Sequence, residues 1–331
     1  MIFKPRKAWW YLLRGTLGWG EKGSQGASYY TAKNPDFGAT FTYFLKEDYK
    51  TKQALRKEEE KAAKKNGQGV KFPGWDALEE EENQHKPKVW LTVKDKEGNV
   101  IRKLKGVTKK GYHRTSWNLR YPSNYPVRLT DKEAKDGQGP NGAMVGPGTY
   151  TVTLTKEIDG QVTQLAGPVE FEVERLREGT LPSASPEAVA KYWKEMHDFN
   201  RNRSATNVEL SIAIKRVQAM ELALSRTTAE PGKLDKDLHD LHMELLAIER
   251  MLEGNKVKER IGEKNNPSYN NRIWEAYGGN STYGPTAMQK RQFEIVKEEY
   301  VSALSKFSEL MNTRMPALEQ RLREAGAPWV E

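Results

Sequence analysis

Between residues 88 and 173, apolar and polar positions alternate with a period of two. Val89, Leu91 and Val93 alternate with Trp90, Thr92 and Lys94, as on a strand with one face buried. Glu97, Gly98 and Asn99 form a turn at which Gly or Asn tolerates positive φ, and Val100 and Ile101 restart the pattern. Tyr150, Val152 and Leu154 mark a later strand, as do Val169, Phe171 and Val173. Residues 39–46 read as an earlier one. Short strands, Gly-bearing turns and no cofactor loop predict an antiparallel β-sandwich over residues 39–175. About residues 48–86 the pattern is interrupted. Residues 50–65 are rich in Lys, Glu and Ala with almost no apolar stripe, which predicts a helix held by i,i+4 pairs or projecting into solvent. Phe72-Pro73-Gly74-Trp75 closes this charged helical insertion, and residues 75–78 add a helical turn.

Beyond a polar, Pro-containing linker the period becomes helical, and residues 183–327 predict an antiparallel three-helix bundle. Ser185 before Pro186 is a capping signal. Val189, Trp193, Met196, Phe199, Leu210, Ile214, Val217 and Leu224 lie on one face, with a bend or polar layer expected about residues 201–207. Pro231-Gly232 turns the chain. Leu234, Leu238, Leu241, Leu245, Ile248 and Leu252 form the seam of a second helix, ended by Gly254. Residues 255–285 read as irregular. A third helix begins near Thr286, with Gln289 placed for a capping box and Pro316 for a kink. The fold class is thus α+β in more than one domain.

Residues 1–38 follow neither period. They hold Trp9, Trp10, Trp19, Tyr29 and Tyr30 among many glycines, and exposed rings at this density predict a tether or docking segment that packs on another surface. Trp9, Trp10, Trp19 and Tyr30 are its expected anchors. A second aromatic group, Tyr112, Trp117, Tyr121 and Tyr125 with Arg114, Arg120 and Arg128, could be a stacking platform for glycan or protein, or could pack the sandwich edge.

Charge changes this picture little. The net charge is +9, but 54 basic residues are interleaved with 45 acidic ones and no long basic block exists, so no nucleic-acid partner is expected. The chain has no cysteine, which removes disulfides and thiolate chemistry. No stretch approaches the ~20 apolar residues of a spanning helix, nor forms a signal-peptide core. His239 and His242 are three apart, whereas a zinc-hydrolase helix needs four with Glu directly after the first. Asp95–Asn99 lacks the spacing of a calcium loop, and no nucleophile elbow, phosphate loop or dinucleotide fingerprint occurs. No catalytic residue, metal or cofactor is assigned.

The stretches GNVIRKLKG, KKGYHRTSWNLRYP and GPGTYTVTL resemble the Ig-like, fibronectin type III-like module of the flagellar hook-capping protein. More of the chain is similar to the C-terminal portion of bacterial envelope proteins with sortilin-type or BNR Asp-box β-propellers, common in Bacteroidota and often labelled glycosyl hydrolase or sialidase-like. NPDFGATFTYFLKE, FPGWDALEEEE, HRTSWNLRYP, STYGPTAMQ and REAGAPW carry that resemblance. The S-x-D-x-G-x-T-W propeller boxes are absent, so no catalytic carboxylate can be transferred. The resemblance implies a fragment or separately encoded half, extracytoplasmic, that docks on a β-propeller. The expected function is a non-catalytic accessory or assembly module. The alternatives are a glycan-binding part of a carbohydrate-active protein and an anionic-polymer or nucleic-acid binder that uses the Lys-rich insertion.

Overall fold

The computed structural model describes residues 1–13, 26–32, 34–127, 141–277 and 281–330. The fold is mixed α and β, and the chain divides into two compact units. Met1–Ser123 with Lys132–Leu181 forms one, and Asn124–Asp131 with Pro182–Glu331 the other.

The first unit carries strands β1 (Ala8–Trp10), β2 (Ala39–Leu45), β3 (Lys88–Asp95), β4 (Val100–Gly106), β5 (Gly111–Trp117), β6 (Gly148–Ile158) and β7 (Gln161–Arg175). Five of them make one sheet in the order β1-β7-β6-β3-β4, and β2 pairs with β5 in a second. All pairings are antiparallel except β1 with β7. The register sets Leu91 opposite Leu154 and Val93 opposite Val152, so the alternation of each strand turns its branched residues to the same side. Those residues are fully buried, as are Phe41, Tyr43 and Trp117 of the smaller sheet. Fully burying each such side chain contributes about 1.5–3 kcal/mol. Rings from the two sheets meet: Phe41 lies edge-on to Phe171 at 5.3 Å, and Trp117 to Tyr150 at 5.5 Å. The Tyr150 hydroxyl donates to the Gly146 carbonyl at 2.7 Å.

The amino terminus belongs to this unit, which corrects the expectation of a tether beginning at residue 1. Phe3 N–H donates to Thr42 and Phe44 N–H to Met1, so the first residues extend the smaller sheet. Ala8–Trp10 then pairs with Val173–Arg175 in the larger one. Buried Pro5 lies between the two pairings, where a residue without a backbone donor leaves no ladder bond unmade.

Between β2 and β3, helices α1 (Lys52–Lys65) and α2 (Trp75–Asn83) bury no residue. Thr51 caps α1 by accepting from Ala54 N–H. The pair is tied by charge. Arg56 donates Nε to Glu81 Oε1 at 2.7 Å and Nη2 to Oε2 at 2.8 Å, and Lys52 Nζ reaches Glu80 at 2.9 Å.

The second unit holds α3 (Pro186–Leu224), α4 (Lys233–Glu253), α5 (Lys256–Arg260), α6 (Tyr269–Tyr277), α7 (Ala287–Glu309) and α8 (Met315–Glu324). Ser185 caps α3, and Thr286 with Gln289 forms the capping box of α7. One apolar core joins α3, α4, α6, α7 and α8, with Val217, Leu238, Leu241 and Val296 wholly enclosed. The stretch expected to be irregular contains α5 and α6, which are too short to display a period. Tyr269 of α6 anchors it by donating to the Val296 carbonyl at 2.7 Å. Before Pro316 the helix passes through a π-turn, Leu310–Arg314, which widens the backbone just where a proline ring would crowd the preceding turn.

Gly38 enters β2 with φ +104°, and a Cβ there would stand 1.9 Å from the Trp117 carbonyl oxygen. Gly38→Ala is expected to destabilise the β unit by about 3 kcal/mol. Urea unfolding followed by circular dichroism checks this, and a midpoint equal to wild type would contradict it.

Candidate functional site

The outer face of the β2–β5 sheet follows from the pleat. Ala39, Phe41, Tyr43 and Leu45 point inward, which leaves Thr40, Thr42 and Phe44 pointing out. Their cross-strand partners on β5 are Ser116, Arg114 and Tyr112. Thr40 and Ser116 share a hydroxyl–hydroxyl bond of 3.1 Å, as expected of a wet face. At the other end of the ladder the pattern breaks. Phe44 and Tyr112 face outward with ring centroids 4.9 Å apart, and Phe3 of the amino-terminal strand joins Tyr112 at 6.1 Å. Tyr112 is 72% exposed, Phe3 is exposed and Phe44 half-buried. Arg114 stands exposed two positions along on the same side. Three touching rings beside a guanidinium can cover an apolar surface or stack on a flat one.

The expected platform does not come together as a whole. Tyr112 and Arg114 share this face, but Trp117 does not: it is 0% exposed and its indole donates to the Arg120 carbonyl at 3.0 Å. Position 117 is odd and position 112 even, so the same alternation that exposes the tyrosine buries the tryptophan. Arg120 Nη1 donates to the Gly142 carbonyl at 3.1 Å. Tyr121 pairs its backbone with Ala143 and Gly142. Tyr125 is exposed and falls in the helical unit. Phe3 and Phe44 were missed by the sequence reading, although an outward Phe at position 44 of an alternating strand was a visible signal.

The amino-terminal rings also separate. Trp10 is 1% exposed and donates its indole N–H to Val145 at 2.7 Å, so it is a core residue rather than an anchor for a partner. Trp9, its neighbour on β1, points out, is 45% exposed and lies 5.8 Å under Lys7. Tyr30 is 85% exposed. Trp19 and Arg128 lie outside the described residues.

In the helical unit the gap in the α3 stripe is a polar layer. Buried Thr206 donates to the Asn202 carbonyl at 3.1 Å and accepts from the buried Tyr300 hydroxyl at 2.7 Å. Arg203 Nε donates to Asn200 Oδ1 at 2.9 Å and Nη1 donates to Asn270. Burial lowers the Arg203 guanidinium below its ordinary range and raises the Tyr300 phenol above its own. Asn270 also lines a cavity of about 780 Å³ with Ser268, Asn271, Arg272 and Gln292, a wall of hydrogen-bonding groups. Among the described residues no three His, Cys, Asp or Glu side chains are grouped to hold a metal.

No family model, curated protein or solved structure matches this chain.

The polar layer is asymmetric in its consequences. Tyr300→Phe removes one hydrogen bond but leaves Thr206 its carbonyl, a loss of about 1 kcal/mol. Thr206→Val strands a buried phenol and is expected to cost more, about 1–3 kcal/mol. Guanidinium unfolding of both variants tests the order, and an equal or reversed cost would show the layer is not organised in this way.

Proposed function

We propose that this chain is a non-catalytic accessory module of a bacterial envelope or secreted protein, and that it docks on a β-propeller through the outer face of its β2–β5 sheet. The observation that carries this reading is the exposed contact of Phe3, Phe44 and Tyr112, three rings on a face where alternation calls for polar side chains. Apolar groups grouped this way lose their hydration cost only when covered. Arg114 at the rim supplies a charged contact that fixes orientation. Trp9 and Tyr30 remain open to a partner on the same unit, whereas Trp10 is withdrawn.

We read the β unit as an Ig-like, fibronectin type III-like sandwich. Three features support this: the order β1-β7-β6-β3-β4 against β2-β5, the amino-terminal strand that serves both sheets, and the Tyr150 bond to Gly146 at the start of β6, which has the form of a tyrosine corner. The helical unit is read as a bundle of three long helices, α3, α4 and the α7–α8 continuation, with α6 packed on α7. Such a sandwich presents surfaces rather than reacting groups. The sortilin-type and Asp-box resemblance supplies the propeller as partner and the extracytoplasmic location. Among the described residues no helix is long and apolar enough to cross a membrane.

A second reading, glycan binding, is favoured by Tyr112 and Arg114 lying on one exposed face, a ring beside a hydrogen-bonding cation.

The double variant Phe44→Ser/Tyr112→Ser is expected to weaken association with a separately produced sortilin-type β-propeller about 30-fold, the effect of losing one hot spot of ~2 kcal/mol. Isothermal titration calorimetry measures it, with circular dichroism confirming the fold. Unchanged affinity sinks the docking face. Glycan-array binding that vanishes in the same variant, with no propeller association in wild type, moves the assignment to the second reading.

A further inference from the structure

The α1–α2 excursion is a surface without a core. Neither helix buries a residue, and the two are held to each other by the Arg56 fork on Glu81 and by Lys52 on Glu80. A solvated helical hairpin of Lys, Glu and Ala has no use for large rings. Yet Phe72 is exposed, Trp75 is 77% exposed, and the two rings meet edge-to-face at 5.2 Å. The two rings meet with nothing covering them, and rings already in contact lose less entropy on binding than rings that must first come together.

Trp75 also adjoins charge. Glu79 follows it by one helical turn, and Asp76, Glu79, Glu80 and Asn83 form one stripe of α2. That stripe lines a cleft of about 490 Å³ whose other walls are Lys52, Gln84 and Asp159 of the β6–β7 turn. Gln84 Nε2 donates to both oxygens of Asp159, at 2.8 and 3.1 Å, and fixes that carboxylate at the rim. Among the described residues that line the cleft Lys52 is the one ammonium, and it is engaged by Glu80. Carboxylates therefore dominate here on a chain whose net charge is +9.

We propose that this excursion is a docking surface for a partner protein that presents lysine or arginine side chains, with Phe72 and Trp75 as apolar anchors and Asp76, Glu79, Glu80 and Asp159 receiving the cations. The sign of the cleft selects a cation. The rings beside it call for apolar area that a metal ion or a small polyamine lacks, and among the described residues no carboxylate trio is grouped for a metal. Exposed ion pairs are individually weak, so the rings supply most of the affinity and the carboxylates supply the choice of partner and the association rate. None of these residues belongs to the β2–β5 face, and this surface stands whether or not that face binds a propeller.

The test uses the whole chain and a fluorescein-labelled twelve-residue peptide of alternating lysine and leucine. A peptide with glutamate in place of lysine serves as control. Saturable anisotropy is expected with the lysine peptide only. Trp75→Ala should weaken it about 30-fold. Glu79→Gln/Glu80→Gln should slow association and flatten its dependence on salt. Trp75 and Glu79 are exposed, whereas Glu80→Gln also removes the Lys52 tie, so circular dichroism is recorded to confirm that the double variant keeps its helices. The proposal is overturned if the lysine peptide does not saturate, if the glutamate peptide binds as well, or if either variant binds like wild type. It is equally overturned if Phe44→Ser/Tyr112→Ser removes the binding, because the peptide would then sit on the other face.

Discussion

Rings from the two sheets of the β unit meet in its core. Phe41 and Trp117 from the smaller sheet meet Tyr150 and Phe171 from the larger, all four buried. Once those inward positions are occupied, the pleat leaves no freedom for the rest of β2 and β5: every second residue must face away. The outward placement of Phe44, Tyr112 and Arg114 is thus a consequence of core packing. A one-residue slip would exchange Trp117 for Ser116 in the core and is excluded by the loss of the largest buried side chains of the sheet.

The helical unit answers to a different constraint. A 39-residue helix with an unbroken apolar stripe would pack equally well in several registers against its neighbours. The layer at Arg203 and Thr206 restricts that freedom, because buried Thr206 and half-buried Arg203 meet partners on other helices, Tyr300 and Asn270. Buried polar groups of this kind trade stability for a defined arrangement.

What could be read from the sequence tracks how local the cause is. The alternations of β3, β6 and β7, the Ser185 cap and the Thr286–Gln289 box are written in neighbouring residues, and all appear in the structure. Strand β1 was not legible, because its three residues owe their conformation to a parallel partner far along the chain, Val173–Arg175. The burial of Trp10 is non-local for the same reason. The separation of Trp117 from Tyr112 was legible in principle: reading an aromatic-rich stretch as one platform ignored its period. Helices α5 and α6 and the polar cavity they line depend on side-chain bonds such as Tyr269 to Val296, which no pattern within residues 255–285 announces.

The two exposed ring groups of the β unit differ in what keeps them in place, and that difference bears on how each could act. Phe44 and Tyr112 are fixed by a ladder whose other face is core, so their geometry persists as long as the sheet does. Phe72 and Trp75 stand on a hairpin tied by an exposed Lys52–Glu80 pair, which salt weakens, and by the largely covered Arg56–Glu81 pair. The hydrogen bonds from Arg56 hold the Glu81 carboxyl below the usual carboxylate range. The stabilisation from this pair therefore declines as pH falls from the ordinary carboxylate range through the lowered one, because the stabilising form is the carboxylate. A rigid face suits a permanent interface. The helical pair is tied by charge and hydrogen bonds rather than by a buried core of its own.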